Sequence, residues 1–224
     1  TPSHVRVYSS VVGSSWNELT NNDSEFECVS DARITLKVDK STGDFYLLFK
    51  STTNGLVLFK YQSGTWIKTA AEINPVDSGD INYSDIALNG SDVYVAYQDP
   101  GTSNQIALKK LNTTAAPWSW DTETIDASIN MPSQYIDLGF DNGNIYISHQ
   151  ASTAGSARLI FASPGTSPSP YFPAANWVHV HDNAPAGFSM NGYGMYPTIH
   201  FYNNLPYIGY EDNNAGASMM VYSP

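Results

Sequence analysis

The sequence predicts an all-β fold and, within that class, a β-propeller built from four-stranded blades. Three segments align without gaps between tyrosines eleven positions apart, at 83–94, 135–146 and 196–207. Each contains a short apolar strand, a turn of Gly, Asn or Asp, and a second strand that begins at the second tyrosine. Those turn residues tolerate the positive φ angles of β-hairpins. Since no stretch repeats apolar residues at helical spacing, the repeated element is a hairpin of two strands.

A second hairpin follows the first in each copy of the repeat. The segments concerned are IALKKLNTTAAPWSW, ARLIFASPG with WVHV, and LVLFKYQSGTWIK, which follows a longer first hairpin, ITLKVDKSTGDFYLLFK. The unit is therefore four strands in about 50 residues, which is the size of a propeller blade. The alternative is a sandwich of unrelated hairpins.

We expect one domain, 1–224, with four blades, because the repeat occurs four times. The first residues, HVRVYSSVVGSSWNEL, match a second hairpin, so residues 1–20 are expected to complete the fourth blade. That closure leaves one strand too many, because HVRVYSS and SMMVYSP both resemble the third strand of a blade. The alternatives are a propeller of five blades or a chain that is part of a larger array. The expected blades cover 29–72, 80–126, 132–182 and 194–224.

Composition excludes several classes of function. Lys and Arg number 10 against 21 Asp and Glu, so the net charge is -11, which opposes binding to nucleic acid or to anionic lipid. The single cysteine, Cys28, excludes an intramolecular disulfide and a cysteine-based zinc cluster. A membrane-spanning helix needs about eighteen consecutive apolar residues, and the sequence contains no apolar run of that length. The Ser-, Thr-, Asn- and Gly-rich polar residues are typical of secreted or surface-displayed β-proteins, and the start, Thr1-Pro2-Ser3, indicates a mature or excised domain.

A ligand site is expected at one mouth of the central channel. The innermost strand of a blade starts on the face of the disc where the second strand ends, because the two are antiparallel. Tyrosine rings stack on the C–H face of a pyranose and planar polar groups bind paired hydroxyls, so this mouth is expected to bind neutral glycans. The alternative is that the tyrosines pack between blades and the acids cap turns. The residues are Tyr83, Tyr135 and Tyr196, with Asp99, Gln150 and Asp212, and Lys50 in the longer copy.

Metal ions are a second possibility in the channel. Asp31, Asp85 and Asp137 lie near the starts of inner strands and are expected to gather round a Ca²⁺ ion, which prefers oxygen ligands. The alternative is that each aspartate accepts hydrogen bonds from neighbouring backbone amides. In the segment WVHVHD, His179 and His181 are expected on one face of a strand. They could bind a transition metal as a pair, or they could be solvated side chains.

Two hypotheses of function follow, from different classes. The first is a carbohydrate-binding module that is not an enzyme, with weak similar sites on several blades that gain avidity on a glycan surface. The second is a structural protein that forms homo-oligomers by exchange of terminal strands, since an unpaired edge favours association. The residues expected in that assembly are Val5, Val7, Met219 and Val221.

Catalysis is the least favoured hypothesis. Sialidase chemistry needs three converging arginines, and of Arg6, Arg33 and Arg158 only Arg33 lies on an inner strand. A glycosidase needs paired carboxylates at a fixed separation. Nothing in the sequence fixes the separation of the two candidates, Asp99 and Asp212. The insert 163–176 is expected to be a surface loop or a contact surface that exposes Tyr171 and Phe172.

The strands VYVAYQD with IALKKL, and YLLFK with LVLFKYQSGTW, resemble the tandem propeller repeats of large secreted bacterial proteins. That resemblance implies an adhesive or carbohydrate-binding module. The segment from SDIAL to VYVAYQD is also similar to hemopexin-like repeats, which form four-bladed propellers, without their third strand rich in Tyr and Trp. The turn QSGTW resembles the end of the sialidase Asp-box motif, without its aspartate.

Overall fold

The computed structural model of the chain describes residues 3–10, 14–20, 23–30, 33–68, 75–114, 116–127, 130, 132–151, 156–165, 171–181, 195–212 and 218–222. In these ranges there are nineteen β-strands, no α-helix, and three 3₁₀ turns at Ser24–Phe26, Pro100–Thr102 and Ala174–Asn176. The all-β prediction is confirmed. Nothing in the same ranges forms a helix with the length and apolar character needed to cross a membrane.

The strands form five sheets, of which four follow one another along the chain and the fifth is a short two-stranded pair near the N-terminus. The N-terminal segment and the first sheet contain β1 (Ser3–His4), β2 (Tyr8–Ser9), β3 (Asn17–Glu18), β4 (Glu27–Cys28), β5 (Thr35–Val38), β6 (Phe45–Ser51), β7 (Gly55–Gln62) and β8 (Thr65–Ile67). The second sheet contains β9 (Ser84–Asn89), β10 (Asp92–Asp99), β11 (Gln105–Asn112) and β12 (Ser119–Glu123). The third contains β13 (Ser133–Asp141), β14 (Asn144–Ala151), β15 (Ser156–Ala162) and β16 (Trp177–His181). The fourth contains β17 (Met195–Tyr202), β18 (Leu205–Asp212) and β19 (Ser218–Tyr222).

The strands of the second and third sheets pair in chain order and antiparallel, as expected for blades. In the first sheet β4 and β5 both pair with the inner edge of β6, so they act as one interrupted inner strand. The hairpin turns contain residues with positive φ, including Gly90 (61°) and Asn203 (50°), which their amino-acid types allow. The inner strands β5, β9, β13 and β17 lie side by side in that order.

The apolar core lies in the seams between successive sheets. We call the face of a sheet that packs on the next sheet along the chain its forward face, and the opposite face its backward face. In the first seam Tyr46, Leu48, Leu56 and Leu58 of the first sheet contact Ile86, Val93, Val95 and Tyr97 of the second. In the second seam Ala87, Tyr94, Ala96, Ile106 and Leu108 contact Ile136, Leu138, Ile145, Ile147 and Ile160. In the third seam Tyr146 and Leu159 contact Ile199, Phe201, Ile208 and Tyr210.

The third seam requires a glycine at position 139. A Cβ atom there would lie 2.6 Å from Cε2 of Phe201, closer than non-bonded carbons approach. Phe201 instead passes over the bare backbone of Gly139 and packs edge-on against Tyr146, with ring centroids 5.1 Å apart. The inner strands of the third and fourth sheets are therefore in close contact along the central axis.

The N-terminal segment packs on the first sheet. β1 pairs with β4, β2 pairs with β3, and Val5 and Val7 are buried against Phe49 and Phe59. In the described ranges β1–β3 make no pairing with β19, and the sheets are not closed into a ring. Completion of the fourth blade by residues 1–20, and the number of blades, stay predictions. The assembly role of Val5, Val7, Met219 and Val221 is also untested, and the last two side chains lie outside the described part of the chain.

Candidate functional site

The strand register defines one level of the open channel that the inner strands β5, β9, β13 and β17 line. Thr35, Asp85, Asp137 and Thr198 occupy equivalent positions, because each faces the equivalent residue of the second strand in its own sheet. Two residues before these positions in the chain come Arg33, Tyr83, Tyr135 and Tyr196. The first inner strand therefore provides an arginine at the level where the other three provide tyrosines.

The three tyrosines lie together at one mouth of the channel. The ring centroids of Tyr83 and Tyr135 are 4.7 Å apart, and those of Tyr135 and Tyr196 are 4.4 Å apart. They line a cavity of 370 Å³, which we call the tyrosine mouth. Its lining is Arg33, Asn82, Tyr83, Tyr135, Tyr196, Pro197 and Thr198.

Backbone irregularities direct two of these rings into the mouth. Tyr135 and Tyr196 have φ angles of 48° and 53°, which are uncommon for a residue with a bulky side chain. Each lies in a register shift of its strand, between Gln134 and Asp137 and between Met195 and Thr198. Such bulges re-aim side chains and occur often beside functional sites. The same irregularity at the same place in two sheets is what brings the rings together.

The hydroxyl of Tyr135 is a neutral hydrogen-bonding group. Burial raises the pKa of Tyr135, hydrogen bonding to Tyr83 raises it further, and hydrogen bonding to Tyr196 acts in the opposite direction. A phenol with a raised pKa keeps its proton at neutral pH and both donates and accepts hydrogen bonds. Such a group matches the hydroxyls of a neutral sugar.

Arg33 is a residue of the mouth that the sequence analysis did not include in the site. Its Nη1 donates to the carbonyl oxygen of Ile136 at 2.6 Å, so the side chain reaches from the first inner strand to the third. Asp31 was expected to gather with Asp85 and Asp137 round one ion, whereas the register makes Thr35 the equivalent of those two aspartates. Asp31 itself lies outside the described residues.

The predicted polar partners do not form one equivalent set. Counted from the hairpin turns, Gln150 matches Gln98, while Asp99 matches Ala151. By the same count Asp212 also matches Ala151, and its side chain is outside the described part of the chain. Successive side chains of a strand point to opposite faces of the sheet. A difference of one position therefore places Asp99 and Gln150 on opposite faces of their sheets.

Asp99 and Gln150 also have different surroundings. Asp99 accepts a hydrogen bond from the amide of Gly101 at 2.8 Å and caps the Pro100–Thr102 turn, the alternative role considered for these acids. Gln150 is buried, and its amide oxygen has no hydrogen-bond partner among the described residues. Their ligand-binding roles stay predictions.

The two channel aspartates below the mouth bond to backbone. Asp85 accepts from the amide of Leu138 at 2.9 Å, and Asp137 accepts from the amide of Ile199 at 2.7 Å. Each therefore links its own inner strand to the next, and Lys37 Nζ lies 4.0 Å from Asp85. The described residues contain no group of three or more His, Cys, Asp or Glu side chains that could hold a metal ion. The Ca²⁺ site is untested, as is the His179 and His181 pair, whose side chains are not described.

The pKa values of Asp85 and Asp137 are shifted in opposite directions, partly by each other. Burial raises the pKa of Asp85 to about 7, and hydrogen bonding and repulsion from Asp137 act in the same direction. Burial would also raise the pKa of Asp137, but hydrogen bonds from Asp85 and from the Ile199 amide hold it below its usual value. Asp85 is therefore the partner that holds a proton up to about pH 7, and hydrogen bonding to it lowers the pKa of Asp137.

We expect this pair to make the protein less stable as the pH rises. An acid whose folded-state pKa is raised stabilises the fold while protonated, and that contribution is lost between its ordinary pKa, 3.8, and about 7. Asp85→Asn keeps a neutral donor to Asp137, so its melting temperature should fall less than that of the native chain between about pH 5.5 and about pH 8.5. Asp99→Asn, at an exposed turn, is the control. An equal fall in native chain and Asp85→Asn would contradict the assignment.

A second cavity, of 440 Å³, lies in the first seam. Lys60 and Asp44 form an ion pair there at 2.9 Å, and the Lys60 ammonium lies 5.5 Å from the ring centroid of Tyr46 and 5.8 Å from that of Trp118. Asp44 precedes the start of β6, so this cavity opens at the end of the sheet opposite Arg33. The sequence analysis missed it, because the lysines of outer strands are usually solvated.

The arrangement recurs in the second seam. Lys110 pairs with Asp92 at 2.7 Å and lies over Tyr94 and Tyr171, at 5.5 Å and 4.9 Å from their ring centroids. Tyr94 faces Lys110 across its sheet just as Tyr46 faces Lys60. Here Phe172 is packed against Tyr94, with ring centroids 5.6 Å apart, so an aromatic side chain of the protein itself occupies this seam.

No protein-family model matches the chain, and no curated protein sequence matches it. Among solved structures, a fucose-specific lectin from Aleuria aurantia has a TM-score of 0.59 at 12% identity, over 98% of this chain and 67% of that one. The SapL1 lectin in complex with α-methyl fucoside has a TM-score of 0.57 at 14% identity, over 90% of this chain and 65% of that one. An α-L-arabinofuranosidase from Lactobacillus brevis, at a TM-score of 0.48 and 12% identity over 93% of this chain and 78% of that one, is too distant to support an argument. The chain is thus similar in fold to β-propeller lectins and spans about two thirds of their length.

Proposed function

We propose that this chain is a carbohydrate-binding β-propeller module that binds neutral glycans at the tyrosine mouth. The observation that carries the proposal is the convergence of three tyrosine rings from three different strands in a cavity of 370 Å³. Cavities of about this size hold small ligands. An aromatic ring stacks on the apolar face of a pyranose, and neutral hydroxyls bind its hydroxyl groups.

The polar residues at the rim support the same ligand class. Tyr196 is 53% exposed, so one aromatic surface is open to a ligand from solvent. Arg33 has several N–H donors, and its described hydrogen bond, to Ile136, uses Nη1. Asn82 and Thr198 add an amide and a hydroxyl to the same lining. Rings on one side and donors and acceptors on the other are what sugar recognition requires.

The fold comparison is consistent with this proposal, because the similar lectins bind fucose or a fucoside. We further propose that the four successive sheets are propeller blades, that the chain is secreted or surface-displayed, and that it binds glycans without catalysis. The resemblance of its strands to adhesive repeats of secreted bacterial proteins points the same way.

A glycan array and titration calorimetry test the site through Tyr196. We expect Tyr196→Ala to weaken binding by about tenfold or more, because it removes an open stacking surface from the mouth. Tyr196→Phe should weaken it less, since the ring remains. Tyr202→Ala removes a comparably exposed tyrosine outside the cavity and should bind as the native chain does.

An array on which the native chain binds no glycan would contradict the proposal, as would equal affinity for the native chain and Tyr196→Ala. Repeating the titration with Ca²⁺ and then with EDTA tests the calcium prediction separately. Loss of binding in EDTA would support a cation near the mouth. Unchanged binding would leave the tyrosines and their rim as the whole site.

A further inference from the structure

An exposed apolar stripe runs along the backward face of β5. Ile34, Leu36 and Val38 are 47%, 47% and 53% exposed. The register makes Ile86, Leu138 and Ile199 the equivalents of Leu36, and these are only 0%, 3% and 7% exposed. Each of the three is covered by the forward face of the preceding sheet. The first sheet has the same stripe without that cover.

The N-terminal segment covers only the outer part of this face. Val5, Val7 and Phe26 pack against side chains of the second and third strands of the first sheet, among them Leu47 and Phe59. The inner strand β5 is not part of that cluster. The uncovered area is therefore confined to the backward face of β5. In the later seams the equivalent face of the inner strand is covered by the preceding sheet.

The fourth sheet has the matching face. His200 and Tyr202 are exposed on the forward side of β17, beside the half-buried Tyr207 of β18. Tyr207 occupies the same register position as Tyr94 and Tyr146. A side chain of the next sheet packs against each of those two rings.

The contacts at those two tyrosines show what Tyr207 is built to receive. Phe140 packs on Tyr94 with ring centroids 5.0 Å apart, and Phe201 packs on Tyr146 at 5.1 Å. The equivalent of Phe140 and Phe201 in the first sheet is Val38. By this equivalence, the exposed Val38 is the residue expected to pack on the ring of Tyr207.

The polar contacts of the seams match as well. In the second and third seams an aspartate accepts from the amide of the next inner strand, at Leu138 and at Ile199. Leu36 carries the equivalent amide on the first sheet, and Thr198 takes the aspartate's position on the fourth. A threonine hydroxyl accepts such a hydrogen bond, so the junction would keep the polar link of the other seams.

We propose that the forward face of the fourth sheet of one molecule docks on the Ile34–Leu36–Val38 stripe of a second copy of this chain. Within the described part of one molecule the two faces do not cover each other, since Leu36, Val38 and Tyr202 are 47%, 53% and 67% exposed. The contact joins different surfaces of the two copies, so it builds head-to-tail assemblies. It places the tyrosine mouths of successive copies in one array, and it is independent of whether those mouths bind glycans.

Sedimentation velocity over a range of concentrations tests the contact. The native chain should associate, and Leu36→Glu should weaken its association by about tenfold or more, because it puts a charge into the apolar junction. Val178→Glu is the matched control, at an aliphatic residue of similar exposure on β16. A native chain that stays monomeric, or a Leu36→Glu chain that associates equally, overturns the proposal.

Cross-linking identifies the two surfaces and the occupant. Val38→Cys and Tyr207→Cys chains are mixed and treated with a short bis-maleimide, while the native Cys28 is buried. We expect a linked dimer in the mixture and little in either variant alone. In a chain that carries both substitutions, links between chains support the proposal. A link within one chain overturns it in favour of closure of the chain on itself, and no link in any sample overturns it outright.

Discussion

Phe172→Ala is expected to lower the free energy of unfolding by about 3–5 kcal/mol, the range for truncating a fully buried aromatic side chain. Phe172 is completely buried in the second seam. Its ring contacts Tyr94 and Phe140, with centroid separations of 5.6 Å and 6.0 Å, and lies 6.5 Å from Trp177. Removing it leaves a cavity between the second and third sheets that their rigid strands cannot close.

A polar contact adds to this effect. The backbone amide of Phe172 donates to Oε2 of the buried Glu123 at 2.7 Å, so the insert is attached to β12 of the second sheet. A cavity that loosens the insert weakens this charge-assisted bond. Urea unfolding measures the loss, with Val178→Ala, at an exposed position of the third sheet, as control. A loss below about 1 kcal/mol would contradict this description of the seam.

One of the two alternatives predicted for this insert, exposure of Phe172 to a partner, was wrong. Residues 163–176 were expected to form a surface loop or to expose Tyr171 and Phe172 to a partner. Phe172 instead fills the second seam, and the half-buried Tyr171 covers the ammonium of Lys110. The insert has no counterpart in the other repeats, so periodicity gave no information on which of its side chains turns inward.

The hairpins were predictable because their signals are local. The Gly, Asn and Asp turns and the strand that starts at each second tyrosine fix the registers Asn89 with Asp92 and Asp141 with Asn144. The sheet positions further from a turn were harder. Asp99 and Gln150 differ by one position, which reverses the face on which a strand side chain lies, and spacing read without a register does not detect that difference.

The tyrosine mouth was partly predictable. Three tyrosines at the starts of inner strands were expected near one another, and their rings are in contact. The bulges at Tyr135 and Tyr196 and the reach of Arg33 to Ile136 depend on how neighbouring sheets meet, which no single repeat encodes. For Asp85 and Asp137, the alternative of bonds to backbone amides describes the observed contacts.

Lys60→Met is expected to lower the free energy of unfolding by about 3–5 kcal/mol, because it leaves the carboxylate of Asp44 buried without its partner. The Lys60 and Asp44 side chains are only 12% and 10% exposed. Burial acts to lower the pKa of Lys60, yet hydrogen bonding and electrostatic attraction from Asp44 and Tyr46 together hold it above its ordinary value. The ammonium is therefore charged in the fold, and its removal is felt by the one carboxylate that it pairs with at 2.9 Å.

The repeat provides a matched control for this pair. Lys110 and Asp92 form the equivalent contact, but the Asp92 side chain is 40% exposed, so solvent screens its charge. Lys110→Met should therefore cost about 1 kcal/mol or less from the charge pair, as for exposed pairs. The double variant Lys60→Met with Asp44→Leu should regain most of the loss, since it leaves no buried charge. Urea unfolding of the variants measures these differences. Equal losses at the two lysines, or no recovery in the double variant, would mean that packing against Tyr46 and Trp118, rather than charge, stabilises the first seam.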